Sequence, residues 1–176
     1  VVFGQRKGQS DKTLIVYDHY DVQPPEPLAL WETPAFEPTI RDGRLYARGV
    51  ADNKGNLIGR LHAIDAILEA EGELPCNVKF IVEGEEEIGS VNLEPFIKSH
   101  QDLLGGDVCV WEVGGVDHEN FPIQMVGLRG IFYVELRVKT ANQDVHSGVG
   151  GSIFPNAAWR LVWALSSLKD KDENIL

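Results

Sequence analysis

Residues 77–87 read NVKFIVEGEEE, an apolar, β-branched run from Asn77 to Val82 that stops against the carboxylates of Glu83, Glu85, Glu86 and Glu87. The run has the length and composition of a strand. The same arrangement recurs along the chain. Thr13 to Tyr17 (TLIVY) is the pattern of a strand buried on both faces, and Asp18-His19-Tyr20-Asp21 follow it. Arg44 to Ala47 reads as a short strand after the turn at Arg41-Asp42-Gly43-Arg44, and it leads to Asp52-Asn53-Lys54-Gly55. Asp107 to Trp111 (DVCVW) is a further strand, ending on Glu112. Each strand therefore delivers a carboxylate or a histidine at its carboxyl end, the edge at which open α/β sheets bind ligands.

Helices fill the intervals. Leu57, Leu61, Ile64 and Leu68 recur at i, i+4, i+7 and i+11, which predicts a helix over Lys54–Glu71, ended by Gly72 and Pro75. Ser90 reads as the N-cap of a short helix through Ile97. Gln23 to Pro38 carries five prolines and reads as an ordered surface loop. Alternating strand and helix predict an α/β fold, a three-layer α/β/α arrangement around a mostly parallel sheet. The pattern changes after Gly127. Phe132, Val134, Leu136 and Val138 alternate with Tyr133, Glu135, Arg137 and Lys139, as in a half-exposed antiparallel strand. Pro155 then opens a helix whose Ala158, Leu161, Val162, Leu165 and Leu168 share one face. With Gly127–Gly130 as a hinge, the expected domains are 1–126 and 127–176, the second α+β.

Composition narrows the function. The 176 residues hold 16 Lys+Arg against 27 Asp+Glu, a net charge of −11. An acidic protein is a poor partner for nucleic acid or an anionic membrane, and no apolar run approaches the roughly 20 residues of a membrane span. No signal peptide is visible at the start of the chain. Cys76 and Cys109 read as small buried hydrophobes of a reduced, cytoplasmic protein. The chain opens on Val1 and closes on Leu176 just after a helix pattern, and both ends are read as cuts.

Converging carboxylates raise one another's pKa unless a cation neutralises them. One imidazole with several carboxylates and few thiols suits Zn²⁺, Mn²⁺ or a similar divalent ion. His19 and Asp21 are two apart, so on a continuing strand Asp21 can hold the second imidazole nitrogen. Adjacent Glu86 and Glu87 point opposite ways in an extended segment, so one can bind metal while its neighbour faces a water. These features indicate metal-assisted hydrolysis of an amide.

HYDVQP, LYARGVADNKG, EGEEEIGS and DVHSGVGGS occur in this order, and the chain from about Thr13 to Leu168 thereby resembles the di-metal peptidase family of carnosinase, cytosolic non-specific dipeptidase, carboxypeptidase G, aminoacylase and succinyl-diaminopimelate desuccinylase. The stretch DHYDVQPPEPLALWETPAFEP is most similar to the dipeptidase/carnosinase branch. The resemblance implies two divalent ions, Zn²⁺ with Mn²⁺ or Co²⁺ as alternatives. His19 and Glu112 would bind one ion, Asp52 would bridge both, and Glu87 would bind the second. Asp21 would orient His19, and Glu86 would be the general base. His146 would reach the substrate of the partner subunit in a homodimer formed through the lid domain. A cis peptide after Asp52 is also implied. The expected substrate is a dipeptide or small peptide; an N-acyl amino acid or a non-catalytic binding role are the competing readings. The family needs one more histidine ligand later in its sequence and no histidine follows His146, so these 176 residues alone are expected to bind metal weakly. Trp159 and Trp163 are expected in packing or dimer contacts, and His62, His100 and His118 in structural or solvated positions.

Overall fold

The structure, a computed structural model, describes residues 1–112 and 114–176. It divides into two compact units, Val1–Gln124 and Met125–Leu176. The first holds β1 (Val2–Arg6), β2 (Ser10–His19), β3 (Thr39–Arg41), β4 (Arg44–Tyr46), α1 (Gly55–Glu71), β5 (Cys76–Glu83), α2 (Leu93–Ser99), α3 (Gln101–Leu104), β6 (Val108–Val110), β7 (Gly115–Val116) and β8 (Pro122–Ile123). The second holds α4 (Ser147–Gly150) and α5 (Ala157–Ser166).

The main sheet has the order β1-β5-β2-β6. Strands β5, β2 and β6 run parallel, and β1 is antiparallel to β5. Period-two alternation along the buried strands divides their side chains between two layers. Leu14, Val16, Val78 and Phe80 pack with Leu74 and with Ile64 and Leu68 of α1. Ile15, Tyr17 and Ile81 pack with Leu93 and Phe96 of α2 and with Leu103 and Leu104 of α3. The three-layer α/β/α expectation is met, with the helical stripe of α1 on one face and α2–α3 on the other. Gly72, at φ 80°, ends α1 by donating its N–H to the Leu68 carbonyl. Among the described residues no helix is long and apolar enough to cross a membrane.

Leu74, only 1% exposed, fills the centre of the first layer. Leu74→Ala is expected to cost about 2–5 kcal/mol, read as a lower urea midpoint; a loss under about 1 kcal/mol would show that this layer is not the core.

Several local expectations need correction. Strand β1 was not anticipated. Ser90 does not cap α2: its hydroxyl donates to Glu83 Oε1 at 2.8 Å, and Asn92 occupies the N-cap position. Helix α5 begins at Ala157 with Asn156 as cap, its side-chain oxygen accepting from the N–H groups of Ala158 and Trp159. Phe132–Val138 is not a strand, and Phe132 is 90% exposed. Alternation makes a segment amphipathic when extended, but a ladder also needs a partner, and none pairs with it among the described residues of this unit. Cys109 is exposed, not buried, because β6 is an edge strand that among the described residues pairs with β2 alone, while Cys76 is half-buried. Both cysteines are free thiols.

Candidate metal centre

Strands β2 and β5 end in register, His19 beside Glu83, and the chain turns away from both at the sheet edge. His19 is 1% exposed. Its Nδ1 lies 3.2 Å from the Asp21 carbonyl and 3.3 Å from Asp21 Oδ1, as acceptors for the Nδ1 proton. Asp21 also accepts the backbone N–H groups of Glu86 and Glu87, at 3.3 and 3.0 Å, so one carboxylate holds both the imidazole and the acidic turn.

With Nδ1 held by Asp21, Nε2 is the ring nitrogen that faces the cavity, donating to Asp52 when it carries a proton and offering a lone pair to a cation when it does not. Around Nε2 stand Asp52 Oδ1 at 2.9 Å, Glu112 Oε2 at 3.6 Å and Glu86 Oε2 at 4.0 Å. Among the described residues, His19, Glu86 and Glu112 form the group whose potential ligand atoms all lie within 4.8 Å of one another. Ala51, Asp52, Asn53, Asn56, Glu86, Glu112 and Gly114 line a cavity of about 280 Å³ here. Asp52 reaches it because Val50–Lys54 is a wide turn in which Asp52 is extended (φ −134°, ψ 96°), and the Asp52–Asn53 peptide is cis.

The electrostatics are those of a site that wants a cation. Burial and the nearby Glu86 carboxylate push Glu112 up to about 7. Burial, with the neighbouring Glu87, Asp52 and Asp21 carboxylates, also raises Glu86 against the opposing influence of His19. Burial alone would lower His19, but its hydrogen bond to Asp52 and the charges of Glu112 and Glu86 outweigh that and raise it. Glu112 Oε2 is buried with no hydrogen-bond partner among the described residues, an arrangement that costs about 1–3 kcal/mol unless something satisfies it. An imidazole lone pair, an unpartnered buried carboxylate oxygen and two further carboxylates fit a hard-to-borderline divalent metal.

The structure thus gathers His19, Asp52, Glu86 and Glu112, with Asp21 behind the imidazole. The Glu87 carboxylate is turned to Gln23, whose Nε2 donates to Glu87 Oε2 at 2.8 Å. His146 belongs to the second unit, where its Nδ1 accepts from Gly148 N–H at 3.0 Å. His62 and His118 are exposed, and His100 stacks on Phe96 at 4.4 Å. The rings of Trp159 and Trp163 lie 6.3 Å apart, tilted at 30°.

Sequence reasoning missed a buried polar layer beneath the site. Asp18, fully buried, accepts from Arg60 Nη1 and from Asn53 Nδ2, each at 2.7 Å. Burial raises its pKa, opposed by Arg60 and Asn53. Glu83, 1% exposed, accepts from the Tyr17 and Ser90 hydroxyls, and the Tyr17 ring stacks on Trp111 at 4.0 Å. The partners are 7 to 66 residues apart, so only the position of Asp18 and Glu83 at strand ends marked them.

Residues 15–163 match the family model described as Peptidase family M20/M25/M40. The chain is 39% identical over 166 residues to the human Beta-Ala-His dipeptidase, covering 93% of this chain and 33% of that protein. It is 34% identical to the Cys-Gly metallodipeptidase dug1 of Schizosaccharomyces pombe, covering 100% and 38%. The crystal structure of an M20 family metallo-carboxypeptidase, Sso-CP2, from Sulfolobus solfataricus superposes with a TM-score of 0.90 at 40% identity, covering 99% of this chain and 39% of that one. The chain therefore spans well under half the length of these relatives.

Proposed function

The chain belongs to peptidase family M20/M25/M40, a family of divalent-metal enzymes, and from that premise we propose that the whole protein hydrolyses the amide bond of dipeptides or small peptides. The observation that carries this reading is the gathering of His19, Asp52, Glu86 and Glu112 around one point, with a buried Glu112 oxygen that no hydrogen bond from the described residues satisfies. His19, Asp52 and Glu112 would hold one ion, and Asp52 with Glu87 would face a second. Two divalent ions, Zn²⁺ with Mn²⁺ or Co²⁺ as alternatives, would polarise the amide carbonyl and lower the pKa of the attacking water toward about 7.

The chain's own residues do the rest. Glu86, whose Oε2 lies 4.0 Å from His19 Nε2, takes the proton from the attacking water and returns it to the departing amine. Asp21 holds Nδ1 of His19 so that Nε2 faces the cavity, and fixes the backbone from which Glu86 projects. In His146, an accepting Nδ1 leaves the proton on Nε2, the form that donates to a developing oxyanion. The reading includes residues 1–126 as part of a catalytic domain and 127–176 as part of a lid through which a homodimer forms. A cytoplasmic setting is part of the same reading.

The test is dipeptide hydrolysis with and without a chelator. Chelation is expected to remove at least about 99% of turnover, and added Zn²⁺ or Mn²⁺ to restore it. Undiminished hydrolysis in the metal-stripped protein would refute the reading.

A further inference from the structure

Beneath the metal centre lies a buried charge that the proposed chemistry does not use. The Asp18 carboxylate is fully buried at the end of β2, with Arg60 and Asn53 as its partners. Arg60 does more than neutralise it. Its Nη1 also donates to the Tyr17 carbonyl at 3.1 Å, and its Nη2 donates to the Trp111 carbonyl. Asn53, 1% exposed, is fixed at both ends of its amide, giving Nδ2 to Asp18 and accepting at Oδ1 from Asn56 Nδ2 at 2.6 Å. Asn56 and Arg60 are four residues apart on α1, so one helical face supplies both donors.

The residues this cluster holds share one property. Asp18 is the chain neighbour of His19, Asn53 of Asp52, and Trp111 of Glu112. Three ligands that arrive from three separate segments are each gripped one residue away. A buried ion pair is weak grounds for stability, since its desolvation cost can exceed its attraction. A planar guanidinium with fixed donor directions is well suited to setting the relative positions of several acceptors.

We propose that Asp18, Arg60 and Asn53 form a buried clamp that positions Asp52 and Glu112 against His19 for metal binding. The clamp rests on the metal-centre reading above. Its members are positioning residues: they act through their neighbours on the ligands.

The experiment measures Zn²⁺ and Co²⁺ affinity of the metal-stripped protein, together with the visible absorption of bound Co²⁺. The variants are Asn53→Ala, Arg60→Lys and, as control, Leu68→Ala, which loosens α1 against the core without touching the clamp. Asn53→Ala leaves the Asp18–Arg60 pair intact, so it carries the test even where Arg60→Lys fails to fold. Asn53→Ala and Arg60→Lys are expected to bind about 10- to 100-fold more weakly, with a changed Co²⁺ spectrum, while Leu68→Ala binds as the unaltered protein does. Affinity and spectrum unchanged in the clamp variants, or equally weakened in Leu68→Ala, would overturn the clamp. No metal binding by the unaltered protein would instead remove the metal-centre reading, and the clamp with it.

Discussion

Glu86→Gln is expected to lower kcat by about 10²-fold or more while leaving the metal content unchanged. Glutamine keeps the size and shape of the side chain but cannot accept a proton at physiological pH. The contrast with Glu87→Gln makes the expectation specific. Glu86 Oε2 lies 4.0 Å from His19 Nε2, inside the ring of carboxylates, whereas the Glu87 carboxylate is turned to Gln23. If Glu86 is the base and Glu87 a ligand of the second ion, Glu87→Gln loses metal and Glu86→Gln does not. Metal analysis of both variants beside steady-state kinetics separates them. Glu86→Gln with unaltered kcat, or with one ion missing per chain, would mean that the two adjacent glutamates have exchanged roles.

The site was legible wherever its chemistry follows a strand. His19 after TLIVY, Glu86 after NVKFIV and Glu112 after DVCVW are marked by an abrupt change from apolar to ionisable residues, because a parallel strand must end at the sheet edge before a charge can meet water. Helix α1 was legible because its apolar stripe follows the helical period. What the sequence hid depends on partners. Strand β1 (VFGQR) is mostly exposed and contains glycine and arginine, and only its ladder with β5 makes it a strand. Phe132–Val138 is the converse, a regular alternation with no ladder partner among the described residues. Ser90 had the residue type of a helix cap, yet its hydroxyl goes to the buried Glu83, where an unmet carboxylate costs more than an uncapped short helix. The Asp18 clamp was hidden for the same reason, since Arg60 lies 42 residues away on an otherwise ordinary helix.

That clamp also sets the largest expected effect on stability. Arg60→Met keeps the unbranched stem and removes the guanidinium. Asp18 would then be a fully buried carboxylate with the neutral Asn53 amide as its remaining named partner. Breaking one side of a buried pair costs about 3–5 kcal/mol, because the charge left behind has neither water nor a counter-ion. A domain is stable by only about 5–15 kcal/mol, so this single change removes a large share. Asp18→Asn is expected to cost less, because the guanidinium left behind keeps 18% of its side chain in solvent and two backbone carbonyls to donate to. In the double variant the uncompensated charge is gone. Its loss should therefore be smaller than the sum of the single losses by about 0.5–3 kcal/mol. Urea unfolding of the four proteins, without metal, measures that coupling. Additive losses, or an Arg60→Met variant within about 1 kcal/mol of the unaltered protein, would show that Asp18 finds other compensation and that the guanidinium is not what makes its burial tolerable.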